Sequence, residues 1–194
     1  MKFTKLYLKE FSQTLLKFNI KEIESIVYSL VKIRKNKGRI FFLGVGGSSS
    51  NASHAVNDFR KICNIECYTP TDNVSELTAR INDEGFENSF QPYLKVSNLS
   101  QKDAIFIFSV GGGNLKKKIS VNLIKAIDYA SKKKSIILGI VGKSDGYTKK
   151  IAKHCFVLPN VKKNLLTPFA ETSQAVIWHL IVSHPLLKLN KTKW

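Results

Sequence analysis

Two short apolar runs, residues 39–45 and 103–110, each lead straight into a glycine-rich loop, Gly44-Val45-Gly46-Gly47-Ser48-Ser49-Ser50 and Ser109-Val110-Gly111-Gly112-Gly113. A continuous run rich in β-branched and aromatic residues and bounded by glycine suits a strand buried on both faces, as in a parallel sheet covered by helices. The segments between them alternate to match. Helical spacing marks residues 49–63, 73–80, 86–96, 121–134 and 147–153, and further short strands are expected at 66–68, 135–141 and 155–158. The sequence therefore predicts an α/β fold, a three-layer sandwich with a central parallel sheet flanked by helices.

Two helices precede the first strand. Apolar residues recur at Phe3, Leu6, Tyr7, Phe11, Leu15 and Phe18, and again at Ile23, Ile26, Val27, Leu30, Val31 and Ile33, where Lys35 to Lys37 and Gly38 form a stop signal. A last helix is expected over 171–187, with Pro168 near its start; it is apolar almost all round, as a buried helix is. Asn82-Asp83-Glu84-Gly85 reads as a turn, and Ser120 as the N-cap of the helix beginning at Val121. At 194 residues the chain is expected to be one domain, with two leading helices over 1–37 and an α/β core over 38–194.

Composition narrows the function classes. The 31 basic and 14 acidic residues give a net charge of +17. The lysines are spread along the whole chain, and arginine, the better bidentate phosphate ligand, is confined to Arg34, Arg39, Arg60 and Arg80. No arginine-and-aromatic stripe is present, so specific nucleic-acid binding is not expected; a lysine-rich solvated surface that attracts small anions is. Apolar runs fall far short of the roughly 20 residues that span a bilayer, and the start of the chain has no signal-peptide core, so the expected compartment is the cytoplasm. Cys63, Cys67 and Cys155 fit no zinc-ribbon spacing and are expected as reduced core residues.

Ligands of open α/β sheets bind at the carboxyl ends of the strands, which makes both glycine loops candidates. The first offers unobstructed backbone N–H groups, hydroxyls and a helix N-terminus, all suited to phosphate or sugar oxygens; it lacks the G-x-G-x-x-G spacing and the Walker lysine. In the second, three consecutive glycines imply either close approach by a ligand or another backbone, or simple flexibility. His54 and Asp58, four residues apart, share one helical face. Glu171 and His179 are eight apart, which on a straight helix is an offset of about 80° and about 12 Å of rise. Two imidazoles and two carboxylates suit zinc or general acid–base work if the fold joins the two helices.

The segment Phe42-Leu-Gly-Val-Gly-Gly-Ser-Ser-Ser-Asn-Ala-Ser-His54, followed by Asn82-Asp83-Glu84-Gly85, Ser109 and the stretch from Glu171 to His179, resembles the sugar isomerase domain family, and within it the phosphoheptose isomerases, over most of the chain. The resemblance implies an aldose–ketose isomerase converting sedoheptulose 7-phosphate to D-glycero-D-manno-heptose 7-phosphate through an enediol, in a homotetramer with the leading helices between subunits. It implies substrate contacts from Val45, Gly46, Gly47, Ser48, Asp58, Asn82, Asp83, Ser109, Val110, Gly111, Ser120 and Glu171. Proton transfer would fall to Asp58 and His179, and zinc ligation to His54, Asp58, Glu171 and His179. The sequence departs from the family where glutamate is usual in place of Asp58, glutamine in place of Glu171, and serine-threonine-serine in place of Ser109-Val110-Gly111. Lysines between Gly113 and Ser120 offer an alternative hold on phosphate. Those departures leave open a second possibility, a non-catalytic sugar-phosphate-binding or partner-binding protein on the same scaffold.

Overall fold

The computed structural model describes residues 1–192. The apolar runs pair as a five-stranded, all-parallel sheet of order β2-β1-β3-β4-β5, with β1 (Ile40–Leu43), β2 (Cys67–Tyr68), β3 (Ala104–Ser109), β4 (Ile136–Val141) and β5 (His154–Val157). Register sets Phe42 beside Phe106 and Phe106 beside Leu138. Successive side chains point to opposite faces, so the two faces of these strands feed two cores. Ile40, Phe42, Phe106, Phe108, Leu138 and Ile140 pack on one side with α2 (Ile20–Lys35), α3 (Gly47–Cys63) and α8 (Leu166–Ser183). Phe41, Leu43, Ile105, Ile107 and Ile137 pack on the other with α5 (Gln91–Val96) and α6 (Val121–Lys132). The remaining helices are α1 (Lys2–Leu15), α4 (Val74–Glu84) and α7 (Tyr147–Ile151).

Local chemistry explains the element ends. Asn19 caps α2 by accepting from the Glu22 N–H, and Ile23, Ile26, Val27, Leu30 and Ile33 form its buried stripe. Each such side chain stabilises the fold by about 1.5–3 kcal/mol on burial. The Arg34 guanidinium donates to the carbonyls of Cys63, Leu186 and Leu187, tying the chain beyond α8 to the end of α3. All three cysteines are free and buried, and burial pushes the Cys63 and Cys155 thiols up to about 12. Among the described residues no helix is long and apolar enough to cross a membrane.

Four readings of the sequence need correction. Asn82, Asp83 and Glu84 form the last turn of α4 instead of a free turn, and Gly85, at φ +85°, ends it. The helix expected over 86–96 is a 3₁₀ turn at Phe86–Asn88 followed by α5, which Pro92 restarts from its first turn. Ser120 precedes α6 but adopts a left-handed conformation, φ 50°, and its hydroxyl caps nothing. Finally, α8 begins at Leu166, ends at Ser183 and is buried on one side only: Thr172, Val176, His179 and Leu180 are exposed.

Candidate functional site

Helices α3 and α8 lie side by side against the sheet, and their outer seam brings together residues 120 positions apart in sequence. His54 and Asp58, one turn apart on α3, meet His179 of α8, with Asp58 Oδ2 3.8 Å from Nε2 of each imidazole. One ligand atom from each residue lies within 4.8 Å of the other two. Asp58 is 9 % exposed, and its other oxygen, Oδ1, accepts from the Asn57 amide at 2.8 Å, which leaves Oδ2 for the seam. The His179 Nδ1 stands 2.8 Å from the Ala175 carbonyl. A carbonyl only accepts, so the neutral ring carries its proton on Nδ1 and turns the Nε2 lone pair toward Asp58.

The 3.8 Å separations are too long for hydrogen bonds, so these donors surround a shared point without bonding to one another. Two imidazoles and a carboxylate, with the two rings more than half exposed, form the donor set of a three-ligand zinc site whose fourth position stays open. The chemistry of the residues thus fits the metal.

Glu171, the fourth expected ligand, is not part of this cluster. Its carboxylate lies against Gly47, the first residue of α3, where an added Cβ would fall 2.5 Å from Oε2. The position is electrostatically favourable, since the N-terminus of α3 carries partial positive charge and Gly46 supplies no side-chain cap. An anion already occupies the place that the first loop seemed to offer to phosphate.

The rest of that loop is anchored to α8. Asn51 donates to the Glu171 carbonyl and to Gln174 Oε1, both at 2.9 Å, and the wholly buried Gln174 donates to Ser48 Oγ at 3.1 Å. The Ser48 hydroxyl is therefore engaged inside the fold, whereas Val45 and Gly46 are exposed and nothing lies within 4 Å of a Cβ built on Gly46. Sequence reasoning passed over Asn51 and Gln174. Asn51 is half-buried and Gln174 wholly buried, one amide on each of the two helices that carry the candidate histidines.

In the second loop another backbone makes the close approach. Gly112 and Gly113 have positive φ, and Gly146 packs so tightly that a Cβ there would come 2.2 Å from the Gly111 carbonyl oxygen. Ser109 Oγ accepts from the Gly112 N–H, and Thr148 donates through N–H and hydroxyl to the Gly112 carbonyl. Val110 packs into a small core with Leu158 and Phe169. Beyond the glycines, Asn114 and Ile119 pair in a short antiparallel bridge that carries Lys116 to Lys118. A cleft of about 620 Å³ adjoins it, lined by Phe86, Glu87, Leu115, Lys118, Ser120, Val121 and Lys125. Asn82 donates to Asp83 at the exposed end of α4, and no hydrogen bond or ion pair joins either to the triad.

The chain is 28% identical over 167 residues to phosphoheptose isomerase 2 of Campylobacter jejuni, covering 82% of this chain and 76% of that protein. It is 27% identical over 164 residues to the phosphoheptose isomerase of Aneurinibacillus thermoaerophilus, covering 82% and 77%. The solved phosphoheptose isomerase GmhA of Neisseria gonorrhoeae superposes with a TM-score of 0.81 over 93% of this chain and 96% of that one, at 18% identity. The chain is phosphoheptose isomerase-like and has the sugar isomerase fold. No family model matches it. In this phosphoheptose isomerase-like chain the α3–α8 seam carries the cluster of two imidazoles and a carboxylate, and the cleft at the start of α6 carries Lys118, Ser120 and Lys125.

Proposed function

We propose that this sugar-phosphate isomerase converts sedoheptulose 7-phosphate to D-glycero-D-manno-heptose 7-phosphate, with Asp58 and His179 moving the protons. The observation that carries the reading is the triad itself, a carboxylate and two imidazoles whose donor atoms lie within 4.8 Å on an open seam. Passing from ketose to aldose requires a base to take a proton from C1 of the ketose and return one to C2, while an acid and its conjugate base exchange the proton between the two oxygens. Asp58 Oδ2 suits the carbon-bound proton, because Asn57 fixes the carboxylate and its charge is largely shielded from water. His179, with Nε2 facing the same point, suits the oxygens. Zinc, when bound, would be held by His54, Asp58 and His179 through these same Oδ2 and Nε2 atoms and would act as a Lewis acid on the substrate carbonyl, so metal ligation and proton transfer are alternative uses of the triad and not simultaneous ones.

The phosphate end fits the cleft at the start of α6, not the first loop. Glu171 repels an anion at the first loop; the cleft also carries one carboxylate, Glu87, but sets against it two cations, Lys118 and Lys125, and the unused Ser120 hydroxyl. Lys125 Nζ is held toward it by Asn88 Oδ1 at 2.8 Å. Asn82, Asp83, Glu171 and the backbone of Val45, Gly46 and Gly47 are assigned to the sugar hydroxyls. Exposed Phe3, Leu6 and Leu8 of α1 give the leading helices an apolar surface for a homo-oligomer, for which a tetramer is the expected size.

The test is conversion of sedoheptulose 7-phosphate by the purified protein, with product resolved from substrate, in chelator and in added zinc. Asp58→Ala and His179→Ala should each lower turnover by at least about a hundredfold with an unchanged circular dichroism spectrum. Unchanged turnover in both variants would remove the assigned pair.

A further inference from the structure

Trp178 is fully buried, 1 % exposed, and is followed directly by His179, which is exposed. Neighbouring residues on a helix ordinarily point about 100° apart and do not face each other. Here they do: the Trp178 ring centroid lies 3.4 Å from that of His179, with the planes 32° apart, and 4.6 Å from that of His54. The indole thus lies against both imidazoles of the triad, one from its own helix and one from α3. His54 needs such a support. Its side chain is 58% exposed, its ring makes no hydrogen bond, and besides Asp58 its neighbours are the rings of Trp178 and His179.

The indole is also present at a cost. Its Nε1–H is buried with no hydrogen-bond partner among the described residues, a penalty that an aliphatic side chain of α8 would avoid. What the tryptophan supplies in exchange is a broad rigid face that other apolar residues lack. We infer that Trp178 is a positioning residue that holds His54 and His179 in mutual register, so that both Nε2 atoms converge on Asp58. This rests on the reading of the two histidines as the working groups of the site. The ring is closed off from solvent and lies against the two imidazoles, so it acts through them.

The test combines a metal-free measurement with a metal-binding one. The protein contains four histidines, His54, His154, His179 and His184, whose imidazole resonances report ring orientation. In the metal-free protein, Trp178→Leu should shift and broaden the His54 and His179 resonances, which lose the indole ring current, and leave those of His154 and His184 in place. Trp178→Phe keeps an aromatic face, removes the unpaired N–H, and should keep the two resonances sharp. Zinc affinity, measured by competition with a chromophoric chelator, should fall about ten- to a hundredfold in Trp178→Leu and recover most of that in Trp178→Phe. A Trp194→Phe background leaves Trp178 as the sole tryptophan, and its emission should change on zinc addition.

Ile181→Ala, a buried change on the same helix, separates positioning from loss of stability, because it should lower the melting temperature and leave both readouts unmoved. Unshifted His54 and His179 resonances in a folded Trp178→Leu protein would overturn the inference, whether or not zinc binds. Zinc failing to bind the unmodified protein would instead remove the metal from the proposed mechanism, and the resonances alone would decide the role of Trp178.

Discussion

The Glu171 carboxylate lies close over Gly47: with Glu171 in place, an added Cβ would meet Oε2 at 2.5 Å and Oε1 at 2.7 Å. One turn of α8 and the first residue of α3 are thereby matched in shape, and the negative group stands where the helix dipole favours it. In this position Glu171 stands beside the triad and not within it.

Gly47→Ala tests that relation. The atoms in the way are the end of a flexible side chain, so the fold can yield, and alanine in place of glycine in a helix is favourable by about 0.5–1 kcal/mol. The melting temperature should stay level or rise. Glu171 must move, and misplacement on the scale of 1 Å costs up to about a hundredfold in turnover where geometry is critical. A stable Gly47→Ala protein with undiminished isomerase activity would show that the position of Glu171 does not matter to the reaction.

Gly146 and Gly111 make a contrasting pair. Gly146 has an ordinary extended backbone, φ −70° and ψ 154°, yet a Cβ there would meet the Gly111 carbonyl oxygen at 2.2 Å and Gly112 Cα at 3.0 Å. Those atoms are backbone and cannot swing away. Gly146→Ala should destabilise by about 1–3 kcal/mol, the range for overpacking, which at this chain length is a drop of a few degrees or more in melting temperature. Gly111→Ala meets nothing within 4 Å and should stay within about 0.5 kcal/mol of the unmodified protein. Equal losses in the two would mean that flexibility, not close packing, explains the glycines.

How far the sequence carried can be seen at single residues. Strands β1, β3 and β4 were legible because each is an apolar run that the sheet buries on both faces, so burial and composition say the same thing. His54 and Asp58 were legible as a pair because four residues make one helical turn. Glu171 and His179 were expected as joint ligands despite about 12 Å of rise between them, and the structure brings only His179 to the cluster while Glu171 lies against Gly47. Trp178 was not legible. In the apolar periodicity of α8 a tryptophan counts as one more core residue, and only the packing of α3 on α8 shows that its faces are turned to two histidines. The Asn51–Gln174 bond escaped for the same reason, since amides 123 residues apart have no common spacing. The lysines between Gly113 and Ser120 were legible as an alternative hold on phosphate, but the antiparallel bridge from Asn114 to Ile119 that carries them was not, because a single bridge leaves no period to detect.

At the opposite, amino-terminal edge of the sheet, Asp103 ties β3 to the start of β1 and should set the acid limit of the fold. Its side chain, 3% exposed, accepts from the Arg39 backbone N–H, from Arg39 Nε and Nη2, and from the N–H and hydroxyl of Ser100. Burial pushes the carboxyl up, but these donors, Arg39 foremost, outweigh it and hold the group below its ordinary value. A carboxyl that is more acidic in the folded than in the unfolded chain adds stability at pH values above the ordinary carboxylate range. That contribution is lost as pH falls through the folded value, where both states become protonated. Asp103→Asn should therefore cost about 1.5–3 kcal/mol at pH 7, the range for hydrogen bonds to a charged group. The gap between the two proteins in urea unfolding should narrow progressively below about pH 4, where the unmodified carboxylate begins to take up its proton. A gap that stays constant from pH 7 down to pH 3 would show that the shape of the side chain, and not its charge, holds this corner of the sheet.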